Sequence, residues 1–151
     1  MKKVLLLILL ICLALTISTY AKPKPVNELV GIKLGDNIDQ IKTVLGEPSM
    51  VTSKMLIYDT KGKRSGIIIL ISKEQRVIYV DVCDPSYKIN LQGVSIGTDA
   101  KTVNKIFGQP DGKFPSTLDK SWFIWEYFPY KTAFTIKAGK VYSIAVGDFK
   151  K

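Results

Sequence analysis

The chain has 151 residues and a formal net charge of +9, with 22 lysines and arginines, 13 acids, two cysteines and no histidine. The lack of histidine excludes Ser-His-Asp and Cys-His catalytic arrangements. Only Cys83 lies beyond the N-terminal apolar run, so we expect neither an internal disulfide nor a structural zinc site in the mature chain. The excess of positive charge is compatible with an acidic protein partner. The lysines are scattered along the sequence, however, which is more typical of a solvated surface.

Residues 1–21 have the pattern of a signal peptide. Lys2 and Lys3 precede an apolar run over residues 4–17, and Thr19 and Ala21 place small side chains at the two positions that a signal peptidase reads. The run is shorter than the roughly 20 residues that span a bilayer as a helix. We therefore expect export, to the periplasm and cell envelope or to the medium, with only transient membrane contact. A retained anchor is the alternative, and lipidation at Cys12 is disfavoured by the large residues before it.

Residues 22–29 are predicted to form an extended leader, and beyond it the sequence repeats. Residues 31–48 return as residues 93–110 at an offset of 62 without a gap, with three glycines, a proline and six apolar positions in common. Such repetition predicts duplicated structural units. The predicted organisation is a first repeat over residues 30–84, a linker over 85–91 and a second repeat over 92–151.

Each repeat is predicted to contain one helix of about ten residues. Asp36 and Thr98 are candidate N-terminal caps, and apolar side chains follow at helical spacing in both copies. Gly46 and Gly108 stand where a left-handed residue ends a helix, and a proline two residues later prevents its continuation. Such short helices must be held by packing.

Three strands are predicted after each helix, joined by short connections that favour antiparallel pairing. The fold class expected is α+β, with two tandem αβββ repeats and an antiparallel sheet that has its helices packed on one face. One continuous curved sheet and two sheets in tandem are both compatible with the pattern. The predicted strands are residues 54–59, 66–72 and 76–82, then 121–129, 131–137 and 140–147.

No group of residues predicts a catalytic, cofactor or metal site. The two glycine pairs lack the Lys-Ser/Thr of a phosphate-binding loop. Paired carboxylates can serve a glycosidase, and the candidate pairs are Asp81 with Asp84 and Asp59 with Glu126. Solvated acids at strand edges explain both pairs better, so we expect a protein that is not an enzyme and that has no cofactor.

The segment over residues 122–130 is strongly aromatic, with six aromatic side chains in nine residues. In a strand, its odd-numbered and even-numbered positions face opposite ways. A helix covers only one face, and the other face needs a second layer, a partner or water. Large exposed apolar patches mark contact surfaces, whereas the leader, the linker or the other repeat could also cover that face. The candidate partner-binding residues are Trp122, Trp125, Tyr127 and Phe128, with Tyr58 and Tyr79 from the first repeat.

Gly-x-x-x-Gly, a capped helix, Leu-Gly-x-Pro or Phe-Gly-x-Pro, an aromatic strand and a Lys/Gly hairpin together form a recognisable order. This order resembles the domain of small outer-membrane assembly lipoproteins (SmpA/OmlA) and the BLIP-like repeats of secreted β-lactamase inhibitor proteins, over nearly the whole mature chain. Trp125 to Tyr127 and Tyr58-Asp59 stand where those domains place an aromatic strand. This chain departs from them in having two copies without a lipidation motif, and a single mature cysteine.

The resemblance implies an envelope or extracellular protein without catalysis that works by contact. The function expected is an exported protein-binding module that acts through its sheet face, with an inhibitory role included. A structural or assembly protein of the bacterial envelope is the alternative, and a wall or polysaccharide hydrolase is a remote one. Because the chain is expected to be exported, we do not expect nucleic acid as a partner. The sequence leaves the oligomeric state open.

Overall fold

The structure, a computed structural model, describes residues 21–60 and 63–149. The predicted signal peptide lies outside these residues except for Ala21. Among the residues described, no helix is both long and apolar enough to cross a membrane.

Strands dominate the described chain, with two short α-helices and two single 3-10 turns. In chain order the elements are β1 (Glu28–Leu29), β2 (Ile32–Lys33), α1 (Ile38–Leu45), β3 (Met50–Val51), β4 (Met55–Thr60), β5 (Lys63–Ile71), β6 (Val77–Val82), a 3-10 turn (Pro85–Tyr87), α2 (Ala100–Phe107), β7 (Gly112–Pro115), β8 (Phe123–Tyr127), a 3-10 turn (Phe128–Tyr130), β9 (Thr132–Lys137) and β10 (Lys140–Gly147).

Eight strands form one antiparallel sheet in the order β3-β4-β5-β6-β10-β9-β8-β7, and β1 pairs with β2 separately. The centre of the sheet is the contact between β6 and β10. There Val82 lies opposite Ile144, and Val80 lies opposite Val146. The last strand before the linker thus pairs with the last strand of the chain, which joins the two halves into one sheet.

The predicted fold class is therefore wrong. The described residues are mostly β, with one eight-stranded antiparallel sheet and two helices of only eight residues each, and they do not form two tandem αβββ repeats. Two short segments outside the predicted helices and strands pair as edge strands, with Met50 opposite Ile57 and Gly112 opposite Glu126. The predicted strand over 121–129 is shorter, because the backbone turns at Phe128–Tyr130. The domain boundaries stay a prediction.

The Gly-x-x-x-Gly segments form tight turns before each helix. Gly35 and Gly97 adopt φ values of 93° and 91°, which glycine tolerates better than other residues. The Asp36 side chain accepts a hydrogen bond from the Lys33 amide at 2.8 Å. Asp36 thus closes the turn, and the helix cap is the next residue, Asn37, whose side chain accepts from the Gln40 amide.

These turns are also tied to the central strands. The Gly35 amide donates to the Val77 carbonyl of β6, and the Gly97 amide donates to the Val141 carbonyl of β10, both at 2.8 Å. The position of each helix is thereby set by the strand that lies at the middle of the sheet.

The hydrophobic core lies on one side of the sheet, which we call the core face. A cross-strand row of side chains runs along it, because antiparallel partners point to the same side. Ile41 of α1 and Val103 and Phe107 of α2 join this core. The Phe107 ring contacts the rings of Tyr127 and Phe134 at centroid distances of 5.3 and 5.1 Å. The row consists of Tyr58, Ile67, Val82, Ile144, Phe134 and Trp125.

The two helices provide a matched test of this core. Val103 is fully buried and Val44 is 51% exposed. Val103→Ala should lower the free energy of unfolding by about 2 kcal/mol, because it removes buried apolar surface and leaves a cavity. Val44→Ala should change it by less than about 0.5 kcal/mol. Urea denaturation measures both, and equal losses would contradict the assignment of the core face.

Candidate contact surface

The six sequence-predicted contact residues do not form one surface. Tyr58, Trp125 and Tyr127 are 7%, 8% and 1% exposed and belong to the core. The Tyr58 hydroxyl donates to the Gly46 carbonyl at 3.1 Å, and the Tyr127 hydroxyl donates to the Gly108 carbonyl at 3.2 Å. These tyrosines therefore fasten the C-terminal ends of α1 and α2 to the sheet.

The other three residues lie outside the core cluster. Trp122 and Phe128 are half-buried and flank β8. Tyr79 is half-buried on β6, where its ring contacts Phe149 edge-on at a centroid distance of 5.9 Å. Its alternation with buried Val80 puts it on the side of the sheet opposite the core. We call this side the open face.

Small residues form the floor of the open face. Ala145 on β10 and Ala133 on β9 are neighbours and are only 3% and 2% exposed. Asp81 flanks the pair on β6, and Glu126 flanks it on β8. Beyond Asp81, the row continues to Ile68 on β5. The floor is thus a pair of alanines between two carboxylates.

Rings lie close to the backbone at two glycines of this face. A Cβ atom on Gly147 would stand 2.9 Å from Cδ2 of Tyr79, and one on Gly112 would stand 2.6 Å from Cε2 of Phe114. Only glycine leaves room for such contacts. The absence of these two side chains therefore lets Tyr79 and Phe114 lean over the sheet.

Apolar side chains surround the floor and keep contact with solvent. Ile57, Ile68 and Leu70 on β4 and β5 and Ile124 on β8 are half-buried, and Phe114 on β7 is exposed. Partly exposed apolar side chains at this density are typical of a surface that binds another molecule.

Asp81 is the most perturbed acid of this face. Burial raises the pKa of its carboxyl from 3.8 to about 6, while hydrogen bonds from the Ser143 side chain and the Val82 backbone act in the opposite direction. Its Oδ1 atom is enclosed and has no hydrogen-bond partner within the described part of the chain. A buried carboxylate oxygen without a donor is costly for the folded state.

Two neighbouring groups share this environment. Burial also raises the pKa of the Glu126 carboxyl. The pKa of the Tyr79 hydroxyl is raised by burial and then by the charges of Asp81 and Glu126. Tyr79 therefore lies within electrostatic range of both acids.

A stack of aromatic rings and a lysine adjoins this face. The rings of Trp122 and Tyr142 are 4.8 Å apart, and the Lys137 ammonium lies 4.3 Å from the Trp122 centroid. Tyr142 lies where the register between β9 and β10 shifts. The pKa of its hydroxyl is raised first by burial, then by Cys83 and then by the charge of Asp81. Trp122 is thus held by a cation–π contact at the border of the open face.

The sequence candidates for paired carboxylates are separated in the fold. The Asp84 side chain accepts from the Ser86 amide at 2.7 Å and caps a 3-10 turn. Asp81 instead shares a row with Glu126, with β10 and β9 between them. Sequence reasoning missed this pairing because it depends on the contact of β6 with β10. One signal was available in the sequence: Asp81 stands between two valines of a predicted strand, which places it on the face opposite to theirs.

A broad, shallow cavity of about 1010 Å³ lies between the leader and the central strands. The leader is held there by reciprocal hydrogen bonds of the Lys24 backbone with the Gln92 side chain, at 2.6 and 2.7 Å. Lys33 pairs with Glu28, and Lys131 pairs with Asp148. Much of the charge that lines the cavity is therefore balanced by neighbouring residues. Within residues 21–60 and 63–149, no cluster of three potential metal ligands is present.

No family model and no curated protein matches the chain, but solved structures share its fold. A DUF4309 family protein, YjgB, from Bacillus subtilis subsp. subtilis str. 168 gives a TM-score of 0.56 at 12% identity, covering 85% of this chain and 88% of that one. An extracellular protein containing a SCP domain from Bacillus anthracis str. Ames gives a TM-score of 0.54 at 12% identity, and the match covers 85% of this chain and 49% of that one.

A cysteine-rich secretory protein from Staphylococcus aureus subsp. aureus Mu50 gives a TM-score of 0.53 at 17% identity, covering 83% of this chain and 48% of its own. The chain thus spans about half the length of the two larger neighbours. Those two are described as extracellular or secretory proteins, in agreement with the predicted export. At these identities the likeness concerns the fold alone.

The resemblance to the SmpA/OmlA domain and to the BLIP-like fold is wrong, because the structural neighbours are a DUF4309 protein and SCP-domain or secretory proteins. The motif behind it describes a glycine turn, a capped helix and a glycine-proline stop. Those features specify local geometry that different families can share, so they do not identify a family.

Asp81→Asn should make the protein more stable at about pH 8, by about 2 kcal/mol, because it removes a buried negative charge whose Oδ1 atom accepts no hydrogen bond from the described residues. The folded state holds the Asp81 proton more tightly than the unfolded chain, so the original protein gains stability as the pH falls from above 6 toward 4. The difference from the variant should vanish below about pH 4.

Urea denaturation across this pH range measures the effect. Glu47→Gln is the control, since it removes one charge of an exposed ion pair with Lys42 and should cost less than about 1 kcal/mol. An Asp81→Asn variant that is less stable than the original protein at pH 8 would show that the hydrogen bonds to the carboxylate outweigh the cost of burying its charge.

Proposed function

We propose that this chain is an exported protein without catalytic activity, and that it binds a partner protein across the open face of its sheet. One observation carries the proposal. The open face combines half-exposed apolar side chains with a floor of small residues and an enclosed carboxylate oxygen to which no described residue donates a hydrogen bond.

The energetics favour a covered face. Ile57, Ile68, Leu70 and Ile124 keep part of their apolar surface in water, and each Å² removed from water contributes about 25 cal/mol. A partner that lies across these strands would bury them together.

The charges of this face favour protein over an anionic polymer. The acids of its central row are Asp81 and Glu126, which would repel phosphate groups or an acidic polysaccharide. The basic charge of the whole chain favours an acidic partner in general, but the part of a partner that meets this row should be neutral or basic.

The spacing of the two acids also favours binding over hydrolysis. Two strands separate β6 from β8, which places the backbones of Asp81 and Glu126 roughly 14 Å apart. Paired carboxylates of glycosidases are about 5 to 9.5 Å apart. We therefore assign these acids to recognition.

Site-specific photo-crosslinking tests the proposal. A benzophenone amino acid would replace Ile68 or Ile124, both on the open face, in the cell that exports the protein. Irradiation should give a discrete crosslinked protein from each position, because both side chains would lie within a few Å of the partner. Mass spectrometry of the adducts identifies it.

The control replaces Lys101, an exposed residue of α2, with the same amino acid, and should give no discrete adduct. Adducts from position 101 but not from 68 or 124 would overturn the proposal, as would the absence of adducts from both open-face positions. A soluble partner would agree with secreted binding, and an envelope component with the assembly role.

A further inference from the structure

We infer that the connection between β7 and β8, residues 116–122, inserts its exposed apolar side chain into the surface of an anionic phospholipid bilayer, with the surrounding lysines at the lipid headgroups. We call this connection the β7–β8 tip. The inference goes beyond the proposed function, because the tip lies at one end of the sheet, whereas the proposed contact with a partner protein lies across the open face.

The first argument is the exposure of a leucine at an ordered turn. Leu118 is 82% exposed, the highest value among the large apolar side chains that the structure describes. The Ser116 hydroxyl accepts a hydrogen bond from the Leu118 amide at 3.2 Å, and the Ser116 amide donates to the Trp122 carbonyl at 2.9 Å. The turn therefore holds Leu118 in solvent, where contact with an apolar phase outside the chain is favourable.

The second argument is that apolar rings lie on both sides of the hairpin below the tip. Phe114 on β7 is 49% exposed and pairs with Ile124, which places it on the open face. Phe123 on β8 is 38% exposed and alternates in step with buried Trp125, which places it on the core face. A protein partner that docks on a hairpin covers one side, whereas a bilayer surrounds an inserted tip. The distribution of the rings therefore favours lipid.

The third argument is the positive charge at this end of the sheet. Lys120 lies in the tip, and Lys137 and Lys140 pair across the hairpin between β9 and β10. Both hairpins end at the same edge of the sheet, because Phe123 pairs with Ile136. None of the ion pairs formed by the described residues includes these three lysines. Lysines in such a position attract the headgroups of anionic lipids.

One acid lies in the tip, and its carboxylate is engaged within the turn. Asp119 accepts hydrogen bonds from the amide and the hydroxyl of Ser121 at 2.8 and 2.7 Å. These bonds lower the pKa of the Asp119 carboxyl, and the charge of Lys137 acts in the same direction. The acid is thus offset by a neighbouring lysine, and the end of the sheet remains cationic.

The aromatic stack next to the tip fits the headgroup layer. The Lys137 ammonium lies 4.3 Å from the ring centroid of Trp122 and 5.3 Å from that of Tyr142. Tryptophan and tyrosine are enriched where proteins meet the interface between membrane and water, and lysine side chains reach from there to the headgroups. The stack would therefore lie at the interface when Leu118 is inserted more deeply.

Binding to lipid vesicles tests the inference. The exported protein would be sedimented with vesicles of phosphatidylcholine alone, or of phosphatidylcholine mixed with phosphatidylglycerol. Binding should require phosphatidylglycerol and should decrease as the salt concentration is raised. Phosphatidylglycerol brominated on its acyl chains should quench the tryptophan fluorescence of the bound protein, because Trp122 would lie beside those chains. Binding without quenching would contradict insertion.

A matched pair of variants separates insertion from the general attraction of a basic chain to anionic lipid. Leu118→Ser should weaken vesicle binding by at least about fivefold, because it removes the inserted apolar side chain. Val51→Ser changes a 59% exposed valine on β3, at the opposite edge of the sheet, and should weaken binding by less than about twofold. Similar affinities for the two variants would overturn the inference.

Two double variants of equal net charge test the lysines. Lys120→Gln with Lys140→Gln should weaken binding by at least about fivefold. Lys54→Gln with Lys73→Gln removes the same charge before β4 and after β5, at the other end of the sheet. The two ends are roughly 20 Å apart along the strands, about twice the Debye length at about 0.1 M salt. The second double variant should therefore lose less than about twofold, and equal losses would contradict the assignment of the tip.

Photo-crosslinking distinguishes lipid from protein at the tip. A benzophenone amino acid at position 118, introduced in the cell that exports the protein, should give lipid adducts and no discrete protein adduct. A discrete protein adduct from position 118 would assign the tip to a protein partner and would overturn the inference.

Discussion

The pairing of β6 with β10 is the constraint on which the rest of the structure depends. It joins a strand that ends at Val82 with a strand that ends near the C-terminus, and so turns two sets of four strands into one sheet. Both strands also accept hydrogen bonds from the glycine turns that precede the helices. Loss of this pairing would separate the two halves and displace α1 and α2 with them.

The same pairing produces two different faces. On the core face, Val82 meets Ile144, and large side chains continue on the neighbouring strands. On the open face, Asp81 meets Ala145, and the next residue across is Ala133. An acid opposite a methyl group is a poor core contact, which agrees with the position of the hydrophobic core on the other face.

Much of the local structure was predictable from particular residues. Gly46 and Gly108 end the helices with positive φ values that favour glycine, but their ψ values of −157° and −162° lie outside the left-handed helical region that was expected. The caps shifted by one residue, because Asp36 bonds backward to the Lys33 amide and leaves Asn37 to cap the helix. The aromatic segment was recognised, but Trp125 and Tyr127 proved to be core residues because Phe107 and the helix ends need large partners.

The sequence by itself determined the turns, the ends of the helices, the alternation along each strand and the absence of histidine chemistry, because these depend on residues close together in the chain. Only the tertiary structure decided that β6 lies beside β10, and hence that Asp81 shares a row with Ala145, Ala133 and Glu126. Alternation assigns a side chain to one of two faces, but the neighbour of a strand is chosen by packing over the whole sheet. The open face could therefore be identified only after the fold was known.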